Sequence, residues 1–363
     1  MVRRPRGRDD FRFAIICALP SEYDAIYDSL DDIWGQEGGL GTATGDLRNY
    51  TTGRMGNQHV VLVLLPGVGK GAAASSATSL RLSYSNLAIA FLVGICGAVP
   101  QPDTETEILL GDIIISKSLV QYDFGRQNPD GFERKDTIDV TLGRPNKDIR
   151  ALTALLSTRR RRDELESNAL ERLRQLQAKV ANTRDRGIYN YPGVEHDRLF
   201  HPRYRHKHRN TFCDICQACF DVNDPVCRHA PKLSCTVLGC NEGELVPRRR
   251  LQQRKRQGVF DVAPALNIHV GGIGSADRVM RSGEARDKIA KRDDVIAFEM
   301  EGAGVWDEIP CIIVKGVSDY ADSHKQKDWQ NYAAGVAASA VKAILSGPYF
   351  QQAQEEDKSL GES

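Results

Sequence analysis

VVLVLLPGVGKGAAASSATSLRLSYSNLAIAFLVGICGAV, residues 60–99, decides the fold. A Val/Leu run (60–65) ends in Pro-Gly, an Ala/Ser-rich helical stretch follows, and a second apolar run (87–99) closes the unit. The apolar runs do not alternate with polar residues, so both faces of each strand are covered, as in a parallel strand–helix–strand unit. The same reading extends outward. FAIICAL (13–19) is a strand, SEYDAIYDSLDDI (21–33) a helix capped by Ser21, and GDIIISKSLVQYD (111–123) another strand. After a long irregular stretch, NIHVGGIGSADRVM (267–280), VIAFEMEG (295–302) and CIIVKGVSDYAD (311–322) resume the pattern, and DWQNYAAGVAASAVKAIL (328–345) is an amphipathic helix ended by Gly347-Pro348. The expected fold is a single-domain, three-layer α/β sandwich over 11–346, with a central mixed, mostly parallel sheet and flexible tails at 1–10 and 347–363. Ligands of such sheets gather at the carboxyl ends of the strands. Here those ends carry LPSE, PGVGKG and GICGAVP.

The 363 residues carry 49 Lys and Arg against 48 Asp and Glu, a formal charge of +1. No global field therefore argues for nucleic acid or membrane as a partner. The basic N-terminus lacks the apolar stretch of a signal peptide, and no apolar run is long and unbroken enough to span a bilayer, so a cytoplasmic protein is expected.

Residues 151–258 differ from the rest, with 22 Lys and Arg against 12 Asp and Glu. They read as an insertion, first helical with interleaved charges, then irregular and rich in Cys and His. Six of the nine cysteines fall within residues 213–240. In a chain of intracellular character, such crowding favours a metal over disulfides. Cys213, Cys216, Cys219, Cys227 and His229 are the candidate ligands of a structural zinc, with Cys235 and Cys240 as further completing pairs. Reduced thiols in a loop are the other reading. The basic runs read either as a solvated surface or as an insertion that leans over a pocket and meets phosphates through Arg248, Arg249 and Arg250.

The chemistry is concentrated at two strand ends. Glu299 and Glu301 bracket Met300 after VIAF, and Asp319 and Asp322 follow CIIVKGV. Two strands delivering acids to one edge form a convergent site, although the same acids are equally suited to capping the helices and turns that follow. PGVGKG is not a phosphate loop of the Walker type, because position 64 is Leu and Gly71 follows the lysine. GGIGSAD lacks the last glycine of the dinucleotide fingerprint. Cys96 reads as a small buried hydrophobe.

FEMEG followed by SDYAD, preceded by IGSADRVM and headed by AIICALPSE, resembles the methylthioadenosine/S-adenosylhomocysteine nucleosidases and the wider nucleoside phosphorylase superfamily. PGVGKGAAA, GICGAVP and LGDIIIS extend the resemblance over 11–125 and 262–346. KGVSDYADSHKQKDWQNYAA, VQYDFG and DRLFHPRY are similar to a mainly fungal branch often fused to receptor-like immune proteins.

This resemblance implies roles. Asp319 matches the general acid that protonates purine N7, and Glu22 the glutamate that orients the attacking water. Glu301 matches the residue that grips the ribose hydroxyls, with Met300 on the apolar face of the sugar and Glu299 also facing it. Val279 and Met280 fall where the base is contacted, without the family's stacking aromatic, and Phe298, Gly97 and Ser318 complete the substrate-lining set. Lys315 stands where the family has Arg, keeping the charge but not the planar fork. Phosphorylases of this group bind phosphate through residues replaced here by Leu92 and Ile95, and an apolar pair offers a phosphate dianion no donors. Water is thus the expected nucleophile. The implied function is hydrolysis of an adenine nucleoside or nucleotide, ATP included, in immunity or signalling, by a homo-oligomer without a catalytic cofactor. A purine nucleoside phosphorylase and a non-catalytic nucleotide-sensing module are the alternatives.

Overall fold

The computed structural model describes residues 4–34, 40–129, 131–135, 142–221, 224–258, 264–325 and 327–350. Its strands are β1 (Phe13–Cys17), β2 (Asp32–Ile33), β3 (Thr51–Met55), β4 (Gln58–Leu64), β5 (Ile89–Ala98), β6 (Ile113–Gln121), β7 (Gly125–Asn128), β8 (Gly131–Arg134), β9 (Ile268–Ser275), β10 (Val295–Glu299) and β11 (Cys311–Asp319). Its helices are α1 (Pro20–Ser29), α2 (Lys70–Ser83), α3 (Lys147–Leu156), α4 (Arg159–Val180), α5 (Asp214–Gln217), α6 (Cys235–Leu238), α7 (Arg249–Arg256), α8 (Gly283–Asp293), α9 (Gly302–Val305) and α10 (Gln330–Ser346).

The nonalternating Val, Ile and Leu runs become the centre of a mixed sheet in the order β10-β9-β6-β11-β5-β1-β4-β3-β2. Strand β1 pairs parallel with β4 and β5, β5 with β11, β6 with β9, and β9 with β10. The β11–β6 and β3–β4 pairings are antiparallel. One further antiparallel contact, Ala297 with Ala98 and Phe298 with Gly97, joins β10 back to β5. It closes β5, β11, β6, β9 and β10 into a ring, so that the ends of β5, β10 and β11 face one space.

Helix α10 packs on β5 and β11, with α1 and α4 against it, and α2 pairs with α9. Burial follows from composition. Residues 332–341 of α10 are covered throughout, because Ala, Gly, Ser and Val let the helix lie close to the sheet. At Gly316 a Cβ would strike the Ala333 carbonyl oxygen, so the glycine sets that closeness.

The structure departs from the sequence reading in several places. Helix α1 ends at Ser29, and residues 32–33 form a short strand paired with β3, which lacks a strong apolar pattern. Helix α4, read as the start of an insertion, buries Leu165, Ala169, Leu173, Leu176 and Val180 in the main core because its apolar side meets α10. The separate unit is the Cys/His-rich part, whose own buried cluster holds only Cys216, Cys227, Ala230 and Leu238. Of the segments read as tails, residues 8–10 form a turn tied to Ser85 through Asp9, and Phe350 packs on Phe13 with ring centroids 4.8 Å apart. Residues 1–3 and 351–363 lie outside the described residues. No described helix is long and apolar enough to cross a membrane.

Candidate active site

Helix α1 begins directly after β1, which brings Glu22 back over the strand end. One carboxylate oxygen accepts the backbone N–H groups of Ala18 and Leu19, each at 2.9 Å, and the other accepts the N–H of Ile95 at 2.8 Å. Glu22, and not Ser21, therefore caps the helix. Gly94 makes the arrangement fit, since a Cβ there would overlap the Glu22 carboxylate. Burial raises the Glu22 carboxyl above its ordinary range, with Lys315 pulling the other way.

Asp319 is aimed by a bulge. The β11–β5 register runs Val317 to Cys96 and then Asp319 to Gly97, which leaves Ser318 as the extra residue. Ser318 donates to the Cys96 carbonyl at 3.3 Å. Asp319 accepts the N–H of Ala321 at 2.8 Å and pairs with the Lys325 ammonium at 3.0 Å. Ala321 holds a left-handed backbone, φ 52°, a conformation that costs energy outside glycine. A Cβ at residue 97 would lie 2.7 Å from the Asp319 carboxylate and 2.9 Å from Ala321 Cβ, so Gly97 leaves the room for this turn. The turn is fastened from outside by Arg286, which donates to the Tyr320 carbonyl at 2.8 Å, and by Asp197, which accepts the Tyr320 hydroxyl at 2.6 Å.

Between these two acids lie Glu299 and Glu301, both buried. Glu299 accepts the N–H groups of Glu301 and Gly302 and so caps α9. Glu301 accepts the N–H of Gly69 at 3.2 Å, tying the site to the turn before α2. Lys315, 1% exposed, approaches Glu301 at 3.7 Å and Glu299 at 3.9 Å. Burial alone would lower its pKa, yet Glu22, Glu301 and Glu299 together hold it above its usual value. A single buried ammonium thus compensates three acids. The Cys96 thiol is pushed up by burial, which leaves it a poor nucleophile.

These groups line one cleft of about 1680 Å³. Glu22, Gly97, Val279, Met280, Phe298, Glu299, Met300, Glu301, Ser318 and Asp319 all reach it, while Lys315 stands behind them. Asp322 is buried and accepts the N–H of His324 at 2.8 Å. The Cys/His-rich segment contributes a wall through residues 226–228 and 231–236.

The phosphate reading of Arg248, Arg249 and Arg250 is corrected. Arg248 is buried and donates to the Pro100 and Ile108 carbonyls, Arg249 donates its N–H to Glu107, and Arg250 pairs with Asp112 at 3.0 Å. Arg248 and Arg250 are consumed in fastening α7 to the loop before β6, and Arg249, whose side chain is exposed, turns to the Glu105 carbonyl of that loop and does not line the cleft. The cations that do line the cleft include Arg228, Lys232, Arg278, Arg281, Lys325 and Lys327.

Of the predicted zinc ligands, Cys213, Cys216 and Cys227 come together, and the fourth member is His208, with all four ligand atoms within 4.8 Å of one another. Cys219 lies by the Asp224 carbonyl, and Cys219 and His229 are outside the group. A second group joins His206, Cys240 and His324. The HKH spacing of residues 206–208 was the sequence signal for the histidines. It was submerged in a basic run.

A cleft where the strands of an α/β sheet end is the architecture of a ligand-binding α/β domain. The chain belongs to the Phosphorylase superfamily, whose family profile matches residues 12–191. A nucleotide-binding leucine-rich repeat (NLR)-like protein of Hyaloscypha variabilis is 30% identical over 351 residues, 95% of this chain and 30% of that protein. ATP nucleosidase Cap17 of Escherichia coli is 27% identical over 139 residues, 35% of this chain and 26% of that protein. The chain thus spans less than a third of these curated relatives. Among solved structures, 5'-methylthioadenosine/S-adenosylhomocysteine nucleosidase from Neisseria meningitidis, bound to methylthio-immucillin-A, aligns with TM-score 0.50 and 15% identity over 92% of this chain and 98% of that one. S-adenosylhomocysteine nucleosidase from Streptococcus pyogenes, bound to 5-methylthiotubericidin, aligns with TM-score 0.50 and 16% identity over 93% and 97%. At that identity the likeness is one of fold.

Proposed function

We propose that the protein hydrolyses the N-glycosidic bond of an adenine nucleoside or nucleotide. The observation that carries the reading is the placement of Glu22, from α1, and Asp319, from β11, against one strand, β5, in one cleft. Glu22 sits on Gly94 and Ile95, Asp319 on Gly97. Three residues of a strand span roughly 10 Å, room for a base-to-sugar link and one water.

In the reaction, Asp319 gives a proton to purine N7 as the C1′–N9 bond breaks, so the base leaves neutral. Glu22, its orientation fixed by three backbone donors, accepts a proton from the water that attacks C1′. Glu301 and Glu299 supply negative charge near the oxocarbenium-like sugar, with the Lys315 ammonium beside them. The substrate displaces the Lys325 contact on Asp319. No metal takes part in these steps.

Water rather than phosphate is favoured by the neighbours of Glu22. Leu92 is fully buried, Ile95 reaches the cleft, and the buried Lys315 ammonium behind Glu22 is committed to three acids.

A nucleotide substrate is favoured by cleft size and by its basic wall. Ligand pockets usually measure about 300–1,000 Å³, and this one is larger. Arg228 and Lys232 of the Cys/His-rich segment are exposed beside it and suited to phosphate oxygens. Similarity to a protein named ATP nucleosidase and to an NLR-like protein supports ATP as substrate and a role in immune signalling, and a homo-oligomer is expected.

Incubation with adenosine, AMP and ATP, each with and without phosphate, tests the reading. Phosphate-independent adenine release is expected. Strict phosphate dependence would replace hydrolysis by phosphorolysis, and binding without turnover would leave a sensor.

A further inference from the structure

The Cys/His-rich segment has too little apolar surface to hold itself. Its buried cluster is four residues, and Phe212 and Phe220 stand 75% and 90% exposed. Units of this kind need disulfides or a metal. All nine cysteines are free.

We propose that this segment carries two zinc ions, and that the second is shared with the loop that follows Asp319. The first ion is bound by Cys213, Cys216, Cys227 and His208, where His208 Nδ1 lies 3.5 Å from Cys216 Sγ and 3.4 Å from Cys227 Sγ. Zinc–sulfur bonds of about 2.3 Å and zinc–nitrogen bonds of about 2.0 Å at tetrahedral angles set a sulfur-to-nitrogen edge of roughly 3.5 Å.

The second ion is bound by His206, Cys240 and His324, with Cys235 as the fourth ligand. Cys240 Sγ and Cys235 Sγ lie 3.6 and 3.8 Å from the same nitrogen, His206 Nδ1. The other nitrogen of that ring, Nε2, is 2.9 Å from the Leu233 carbonyl. Donation there fixes the tautomer and leaves the Nδ1 lone pair facing the sulfurs, as second-shell bonds do for metal-bound histidines. His324 supplies independent support. It is 5% exposed, and its Nε2 is buried without a hydrogen-bond partner among the described residues. A buried polar atom of this kind is costly unless a ligand satisfies it. Two thiolates and two imidazoles select zinc among common divalent ions.

The second site has a structural consequence that the first lacks. His206, Cys235 and Cys240 belong to the inserted segment, whereas His324 lies five residues after Asp319 and next to Lys325. The ion therefore fastens the wall of the cleft to the turn that carries its acid.

The test is metal content of the full chain, expressed with zinc and purified under reducing conditions without chelator. Two zinc per chain are expected in the parent, one in His324→Ala, one in Cys216→Ser, and none in the double variant. His324→Cys should restore the second. X-ray absorption on the parent needs no variant to fold, and should fit five sulfurs and three imidazole nitrogens shared by two ions. A parent with one zinc or none, or a His324→Ala protein that keeps two, overturns the proposal. These readings do not depend on catalysis, so failure of the nucleosidase reading would leave them standing.

Discussion

Replacing Lys315 by Met removes the ammonium that lies against Glu299 and Glu301 while keeping much of the side-chain volume. At 3.7 and 3.9 Å, each pair is worth about 4 kcal/mol of attraction at an effective dielectric near 20. Desolvation offsets much of that, and loss of one partner of a buried pair costs about 3–5 kcal/mol. The variant should therefore lose about 3 kcal/mol of stability near pH 8, read from urea unfolding. The sign with pH follows from linkage. Burial already raises the Glu22 and Glu299 carboxyls above their unfolded values, and without Lys315 they rise further. The extra destabilisation is thus full at high pH and fades as pH falls toward the unfolded carboxyl range. In the proposed reaction Glu22 takes the proton of the attacking water and must be ionised, so in the same variant the acid limb of kcat/KM for adenine release should move to higher pH. Lys315→Arg should keep the limb near its parent position. An unfolding midpoint and an acid limb both unchanged in Lys315→Met would refute the idea that this ammonium compensates the acids.

Asp319→Asn should cut kcat by at least roughly 100-fold if that residue is the general acid, and parent-like turnover would remove the assignment. Gly94→Ala pushes a methyl into the Glu22 carboxylate and should lose roughly 100-fold in turnover, whereas Gly71→Ala, with open space around its Cβ, should not. Replacing Arg228 and Lys232 together by Ala should raise KM for ATP and spare that for adenosine. Equal effects on both substrates would take phosphate recognition away from this wall.

Much of the sheet was legible in the sequence because the central strands β1, β5 and β11 are covered on both faces and read as near-continuous apolar runs, a composition with few other outcomes. Strand β3 was not legible, since Thr, Gly and Arg sit in it and only pairing with β4 makes it a strand. The capping alternative for the acids proved true of Glu299, which caps α9 while still lining the cleft. Both readings were local, and only their shared location joined them.

By itself, the chain determined which strand ends carry Glu22, Glu299, Glu301 and Asp319, since periodicity and turn residues are local properties. Tertiary structure decided what those groups face. The β10–β5 closure and the bulge at Ser318 bring the acids to one cleft, and Gly94 and Gly97 clear the space for them. It also withdrew Arg248 onto buried carbonyls and Arg250 onto Asp112, and drew His206, His208 and His324 to the cysteines. Charge and ligand type are written in the sequence, but partners tens of residues away are chosen by packing.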